Sequence, residues 1–178
     1  VVAHGLSLVS PVFHRTSNDH HQSMMLAMLE AQRRGYRRPG FTLDGATTVR
    51  LEYRWEAAYM VACAKLGFAT IPPLLLPTRW RPDEIAGWVR REQVDVVIGL
   101  FLEEQIDELA RRGIGAQADI GLLSLSVASL GSPLSGIRQN PSAMGAVAAD
   151  QLVNMVERNE TGIPAEPITL TIEGVWNE

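Results

Sequence analysis

Residues 94–113, VDVVIGLFLEEQIDELARRG, decide the fold. The run from Val94 to Leu100 is almost unbroken in apolar residues and too short for a helix, which is the pattern of a strand buried on both faces of a parallel sheet. Beyond Leu100 the period changes at once. Leu102, Ile106, Leu109 and Ala110 return every three or four positions, acids lead the segment, arginines trail it, and Gly113 stops it. A strand is thus expected over 94–100 and a helix over 102–112, with only a short connection between them.

The same unit recurs on both sides. Strands are expected at 1–8, 40–43, 70–76, 119–125 and 168–172. Helices are expected at 20–34, 48–66, 82–92 and 140–158. Gly35 and Gly67 close two of the helices, Pro82 opens one, and Asn140-Pro141 caps and opens another. In the helix over 48–66, Leu51, Trp55, Ala58, Ala62 and Leu66 form the inward face. In the helix over 140–158, Met144, Val147 and Met155 mark an apolar face. Strands alternating with helices of ten or more residues imply right-handed crossovers and a doubly wound, mostly parallel α/β sheet. Ligands of such sheets bind beyond the carboxyl ends of the strands, so the loops at 44–49, 76–81, 100–103 and 124–133 are the ones to watch.

Bulk properties narrow the function. The 178 residues are 46% hydrophobic and 20% charged, with net charge −4, a pI of about 5.6 and a mean hydropathy of +0.02. No basic stripe advertises nucleic acid as a direct partner. Cys63 is the single cysteine, so no internal disulfide forms; this fits a reducing, cytoplasmic setting. No apolar run has the length of a membrane span. The opening Val1-Val2-Ala3-His4-Gly5 has neither an initiator methionine nor a leader pattern, so the chain is expected to begin inside a larger protein.

The chemistry-bearing residues point away from catalysis. His14, Asp19, His20 and His21 invite a metal reading, but adjacent helical histidines diverge and nothing completes a tetrahedral set, so a polar helix start capped by Asn18 or Asp19 is the better account. Ser124, Ser126, Ser129, Ser132 and Ser135 lie in a Gly/Pro-containing stretch with no nucleophile elbow. No phosphate-cradling glycine motif is present, and Gly113-Ile114-Gly115 follows a helix instead of a strand. No cofactor or metal is implied, and the chain is not expected to be an enzyme. Arg50 and Arg54 stand apart. Two cations four residues apart near the start of a helix oppose its macrodipole unless an acid (Glu52 or Glu56) or an oxygen-rich ligand compensates. Trp80, in a loop after a strand, is either packing or a plate for a ligand ring.

Three stretches, in order along the chain, resemble the lactose/galactose-repressor (LacI/GalR) family. They are Asn18-Asp19 with the helix ending Leu29-Glu30-Ala31-Gln32-Arg33-Arg34-Gly35-Tyr36; Arg54-Trp55-Glu56-Ala57-Ala58 with Gly67-Phe68; and Gly136-Ile137-Arg138-Gln139-Asn140-Pro141 through Met144-Gly145-Ala146-Val147-Ala148-Ala149. The resemblance spans essentially the whole chain. It implies a periplasmic-binding-protein-like type I fold, with the second lobe complete (17–139 plus 172–178), the first lobe only partial (1–16 and 140–171), and the DNA-binding head absent. It further implies a cytoplasmic transcription regulator that holds a small molecule, sugar-like in the family, in an interlobe cleft. Its partners would be that effector, DNA through the missing head, and a second copy in a homodimer, with no membrane. A transporter's solute-binding protein shares the fold and is the alternative.

By the same resemblance Arg54 grips effector oxygens, Trp80 stacks on the effector, Arg50, Ser126 and Asp19 line the site, and Gln139 lies at a hinge crossing. The sequence departs from the family pattern at Ala57, which replaces a glycine, and at Ser124-Leu125-Ser126-Val127, where a serine stands for the acid that holds sugar hydroxyls. Gly99-Leu100-Phe101 occupies the neighbourhood where the family carries an Asn-Asp pair.

Overall fold

The stretch 94–113 folds as strand, loop and helix, and the rest of the chain repeats that unit around it. The computed structural model describes residues 1–77, 81–101, 103–115, 118–127, 132 and 134–178. In chain order the elements are β1 (Val2–His4), β2 (His14–Asn18), α1 (His20–Arg33), β3 (Pro39–Asp44), α2 (Gly45–Arg50), α3 (Arg54–Leu66), β4 (Leu74–Leu76) and α4 (Pro82–Glu92). They continue with β5 (Val96–Gly99), α5 (Glu103–Ala110), β6 (Gly121–Ser124), β7 (Gly136–Arg138), α6 (Pro141–Glu157), β8 (Thr169–Ile172) and β9 (Val175–Asn177). The chain divides into two compact units: Val1–Asp19 with Gln139–Gly174, and His20–Arg138 with Val175–Glu178.

The larger unit is a sheet in the order β4-β3-β5-β6-β7-β9, parallel from β4 to β7. The last strand, β9, pairs antiparallel with β7, Gly136 opposite Asn177. The strands need apolar residues on both faces because helices cover both. Gly40 and its register partner Val97 face one way, Phe41 and its partner Ile98 the other. A Cβ on Gly40 would lie 2.4 Å from the Trp88 ring of α4, while the Phe41 ring packs 5.7 Å from that of Tyr59 in α3. Val97 joins Ile85, Trp88 and Val89 of α4 and Leu109 of α5 in one buried cluster. The smaller unit is a parallel sheet in the order β1-β2-β8, against which α6 packs.

The helix expected at 82–92 is found at those bounds, and those expected at 20–34, 102–112 and 140–158 are found with ends shifted by one or two residues. Asn140 Oδ1 accepts the Ala143 N–H at 3.1 Å with Pro141 in the first turn, and Pro82 opens α4.

Other expectations are corrected. The helix expected over 48–66 is two helices, because Glu52 and Tyr53 adopt left-handed backbone (φ 54° and 59°) and interrupt it. The first residues of the loop expected at 44–49 form the start of α2, capped by Asp44, whose Oδ1 accepts the Thr47 N–H at 2.8 Å. The strand expected over 70–76 is confined to Leu74–Leu76, since Pro72 and Pro73 have no N–H for the ladder. The strand expected over 1–8 ends at His4, where Gly5 turns with φ 73°. Strands β2, β7 and β9 were not expected. The sequence of β2, HRTSN, is polar, yet the strand is paired on both sides and largely buried. Met144 and Met155 of α6 are buried within the smaller unit, and its exposed large apolar residues are Leu152, Val153 and Val156. Among the described residues, no helix is long and apolar enough to cross a membrane.

Candidate functional site

In the larger unit the chain starts its sheet at β3, moves outward to β4, then crosses to the other side of β3 to lay down β5, β6 and β7. The strand order therefore reverses between β3 and β5. The helices after those two strands cover opposite faces of the sheet, and it is beyond the carboxyl ends of strands at such a reversal that sheets of this kind bind ligands. The residues there are Asp44 with the short α2 from β3, Gly99 to Phe101 from β5, and Ser124 to Val127 from β6.

Each part of this rim is held by identifiable contacts. Gly99 cannot carry a side chain, because a Cβ would lie 2.6 Å from the Thr42 carbonyl and 2.9 Å from the Phe101 ring. Ser124 Oγ is buried; it donates to the Ser126 carbonyl at 3.0 Å and accepts the Ser126 N–H at 3.2 Å. The next backbone groups reach sideways, Leu125 N–H to the Gly99 carbonyl (2.8 Å) and Val127 N–H to the Ile137 carbonyl (2.8 Å). Ser126 is thereby fixed, half-buried, in a loop tied to both neighbouring strands.

Arg54 is the first residue of α3, and its guanidinium is held by Glu52, Nη2 at 2.6 Å and Nε at 3.2 Å from Oε2. The acid that offsets the cation at this helix start is thus Glu52, placed there by its left-handed backbone. Arg50 ends α2, with Nη2 3.3 Å from Thr47 Oγ1. The two arginines do not share a helix face, as a continuous helix over 48–66 would require. Residues 78–80, Trp80 among them, lie outside the described residues, as does Ser129.

Two further groups stand at the start of α3, of which the sequence reading names only Glu56, as a candidate partner for the arginines. The indole N–H of Trp55 and Oε2 of Glu56 are buried and have no hydrogen-bond partner among the described residues. Trp55 counted only as an apolar position of the helical pattern. Buried polar atoms are almost always paired, so these two mark the first turn of α3 as a place with unspent hydrogen-bonding capacity. Deeper in the same helix, burial pushes the Tyr59 phenol and the Cys63 thiol above their ordinary pKa values. The Tyr59 hydroxyl, 3.0 Å from the Pro39 carbonyl and 2.9 Å from that of Ile71, stays a donor.

The remaining sequence candidates are spread over both units. Half-buried Asp19 closes the first segment of the smaller unit, its N–H donating to the Ile172 carbonyl at 2.9 Å. Gln139 opens that unit's second segment, and its Oε1 accepts a hydrogen bond from the Asn18 amide. His20 packs edge-on against Trp55, ring centroids 4.9 Å apart, and His14 Nδ1 accepts the Ile168 N–H at 3.0 Å. His21 is exposed. Among the described residues no three His, Cys, Asp or Glu side chains group as a metal site.

No protein-family model matches the chain, and no curated protein does. Solved structures do. A LacI family transcriptional regulator from Enterococcus faecium with bound ribose is similar over 99% of this chain and 68% of its own, at 14% identity and TM-score 0.71. The transcription regulator CcpA of Lactococcus lactis is similar over 100% of this chain and 68% of its own, at 14% identity and TM-score 0.73. The transcriptional regulator CelR–cellobiose complex is similar over 98% of this chain and 56% of its own, at 18% identity and TM-score 0.69. The chain thus has the periplasmic-binding-protein-like type I α/β fold seen in the effector regions of LacI-family regulators.

Proposed function

We propose that this chain is the effector-sensing part of a LacI-type transcription regulator. It binds a small, hydroxyl-rich molecule beyond the carboxyl ends of β3, β5 and β6, and binding changes the DNA affinity of a homodimer through a head outside these residues. The observation that carries this reading is the likeness of the entire chain to regulators of that family, one of them with bound ribose and one in complex with cellobiose. The site chemistry supports it: Arg54 offers charge-assisted donors, Trp55 an unspent indole N–H and Glu56 an unspent acceptor at one helix start. Net charge −4 agrees with DNA being read elsewhere.

Arg50 and Ser126 complete the proposed contacts, and Trp80 is proposed to stack on the ligand; Asp19 and Gln139 belong to the smaller unit. Glycine and serine replacing the family's acid and amide groups leave arginine as the main polar anchor. The test is calorimetric titration with ribose, cellobiose and related polyols, followed by amide-shift mapping. A saturable ligand shifting residues 44–56, 99–101 and 124–127 is expected. A ligand whose footprint avoids those residues, or one that is chemically converted, would overturn the reading.

A further inference from the structure

We propose that the smaller unit carries a second ligand site, a cavity of about 450 Å³ that takes a small organic cation with an apolar body. The volume lies in the range of small-molecule pockets, and the cavity is formed within one unit, between the start of β2, the carboxyl end of α6 and the segment leading into β8.

Its floor is built, not solvated by default. His14 is 5% exposed, and its Nδ1 accepts the Ile168 N–H at 3.0 Å, so in the neutral ring the proton sits on Nε2. That Nε2 stands 3.8 Å from Glu160 Oε2, and Arg158 Nη1 stands 3.8 Å from Glu160 Oε1. Both distances are beyond hydrogen-bond reach. The Glu160 carboxylate, 41% exposed, thus stands near two donors without hydrogen-bonding to either, and a ligand donor would compete for it only with water.

Charge selects the occupant. Glu160 and Glu166 line the cavity against the single guanidinium of Arg158, and Glu166 has no ion pair among the described residues. The cavity also sits at the carboxyl end of the 17-residue α6, where the helix dipole adds negative potential and no basic residue occupies the last turn. An anion would meet two carboxylates and a helix carboxyl end, whereas an ammonium group would meet complementary charge. Buried Met155 and half-buried Pro164 supply apolar surface at its base, and the exposed Ile163 and Ile168 form its rim.

Benzylammonium, benzyl alcohol and benzoate share one shape and differ in charge, so they are the probes. In titrations of the chain followed by calorimetry and by His14, Met155 and Ile168 resonances, benzylammonium is expected to saturate. It should bind about tenfold more tightly than benzyl alcohol, with no saturation by benzoate. The double variant E160Q/E166Q should lose about that factor. R158Q, which removes the competing cation, should bind about threefold more tightly; because it leaves both acids in place, it keeps the test decisive if the double variant fails to fold. Benzoate binding as tightly as benzylammonium, unchanged affinity in folded E160Q/E166Q, weaker binding by R158Q, or no saturation by ~10 mM would overturn the proposal. Because none of these probes or variants involves Arg54, failure here is distinguishable from failure of the sensing function.

Discussion

Arg54 shows how far a single residue can be read from sequence. A cation at a helix start that lacks an obvious partner asks for one, and the structure supplies Glu52 at 2.6 Å. The pair is exposed enough, with 36% and 65% side-chain exposure, to be worth little by itself, about 0–1 kcal/mol. A ligand oxygen can therefore replace Glu52 at small cost. Arg54→Ala is expected to weaken any ligand of this site by ~10–100-fold while changing stability by no more than ~0.5 kcal/mol. Titration calorimetry and urea unfolding of the same variant check both halves, and unchanged affinity would remove Arg54 from the site. Tyr59 behaves in the opposite way. Its buried hydroxyl serves two backbone carbonyls of different strand-side segments, Pro39 and Ile71. Tyr59→Phe should cost ~1–3 kcal/mol of folding free energy without touching ligand affinity. Neither Tyr59's partners nor the orphaned Trp55 N–H was legible in the sequence, because hydrogen-bond partners distant along the chain leave no periodic trace.

Among the elements, legibility followed the length of the pattern. The helices α1, α4, α5 and α6 carry several turns of apolar spacing with capping or stopping residues, and each was readable. The break between α2 and α3 was not, because Leu51, Trp55 and Ala58 keep helical spacing straight through it. Two consecutive left-handed non-glycine residues make the break, and each costs about 1–2 kcal/mol. Tyr53 is 53% exposed and has little packing to lose. Tyr53→Gly is accordingly expected to stabilise the chain by up to ~1 kcal/mol, after the entropy cost of glycine is subtracted. A lowered urea midpoint would show that the tyrosine has a packing role. A different link joins α4 to the residues after α5. Arg112 Nε donates to Asp83 Oδ1 at 2.7 Å, and this hydrogen bond, reinforced by the charge, holds the Asp83 carboxyl below its ordinary 3.8. A depressed carboxylate contributes its stability above the unfolded pKa and loses it as pH falls through the folded one. Carbon-detected titration should place the Asp83 midpoint below 3.8 and return it toward that value in Arg112→Gln.

At the scale of the whole molecule, alternation of strand and helix was enough to predict a doubly wound sheet, and the order in which the strands lie was not. Strand β2 illustrates the reason. His14, Arg15, Thr16 and Ser17 are buried because β1 and β8 flank them, a property of topology that local polarity conceals. The same topology leaves apolar surface open. Among the described residues, Leu152, Val153 and Val156 of α6 are 45%, 55% and 72% exposed, and Ile163 beyond it is 63% exposed. Along the helix, Gly145, Ala149, Leu152 and Val156 follow the alternating four- and three-residue spacing of a helix-packing seam, interrupted by no basic residue. A face of this kind drives association, and a second copy of the same seam satisfies it by two-fold symmetry. One helix of this length falls short of the ~800 Å² per partner of a standard interface, so the self-association expected from it is weak, on the order of 10–100 µM. Sedimentation of the chain should show a monomer–dimer equilibrium in that range. The variant L152D/V156D places two carboxylates on the seam, away from buried Met144 and Met155, and should sediment as a monomer with its melting temperature preserved. If the unmodified chain stays monomeric through ~100 µM, α6 does not provide the contact, and the homodimer of the proposed regulator must be built from other surfaces.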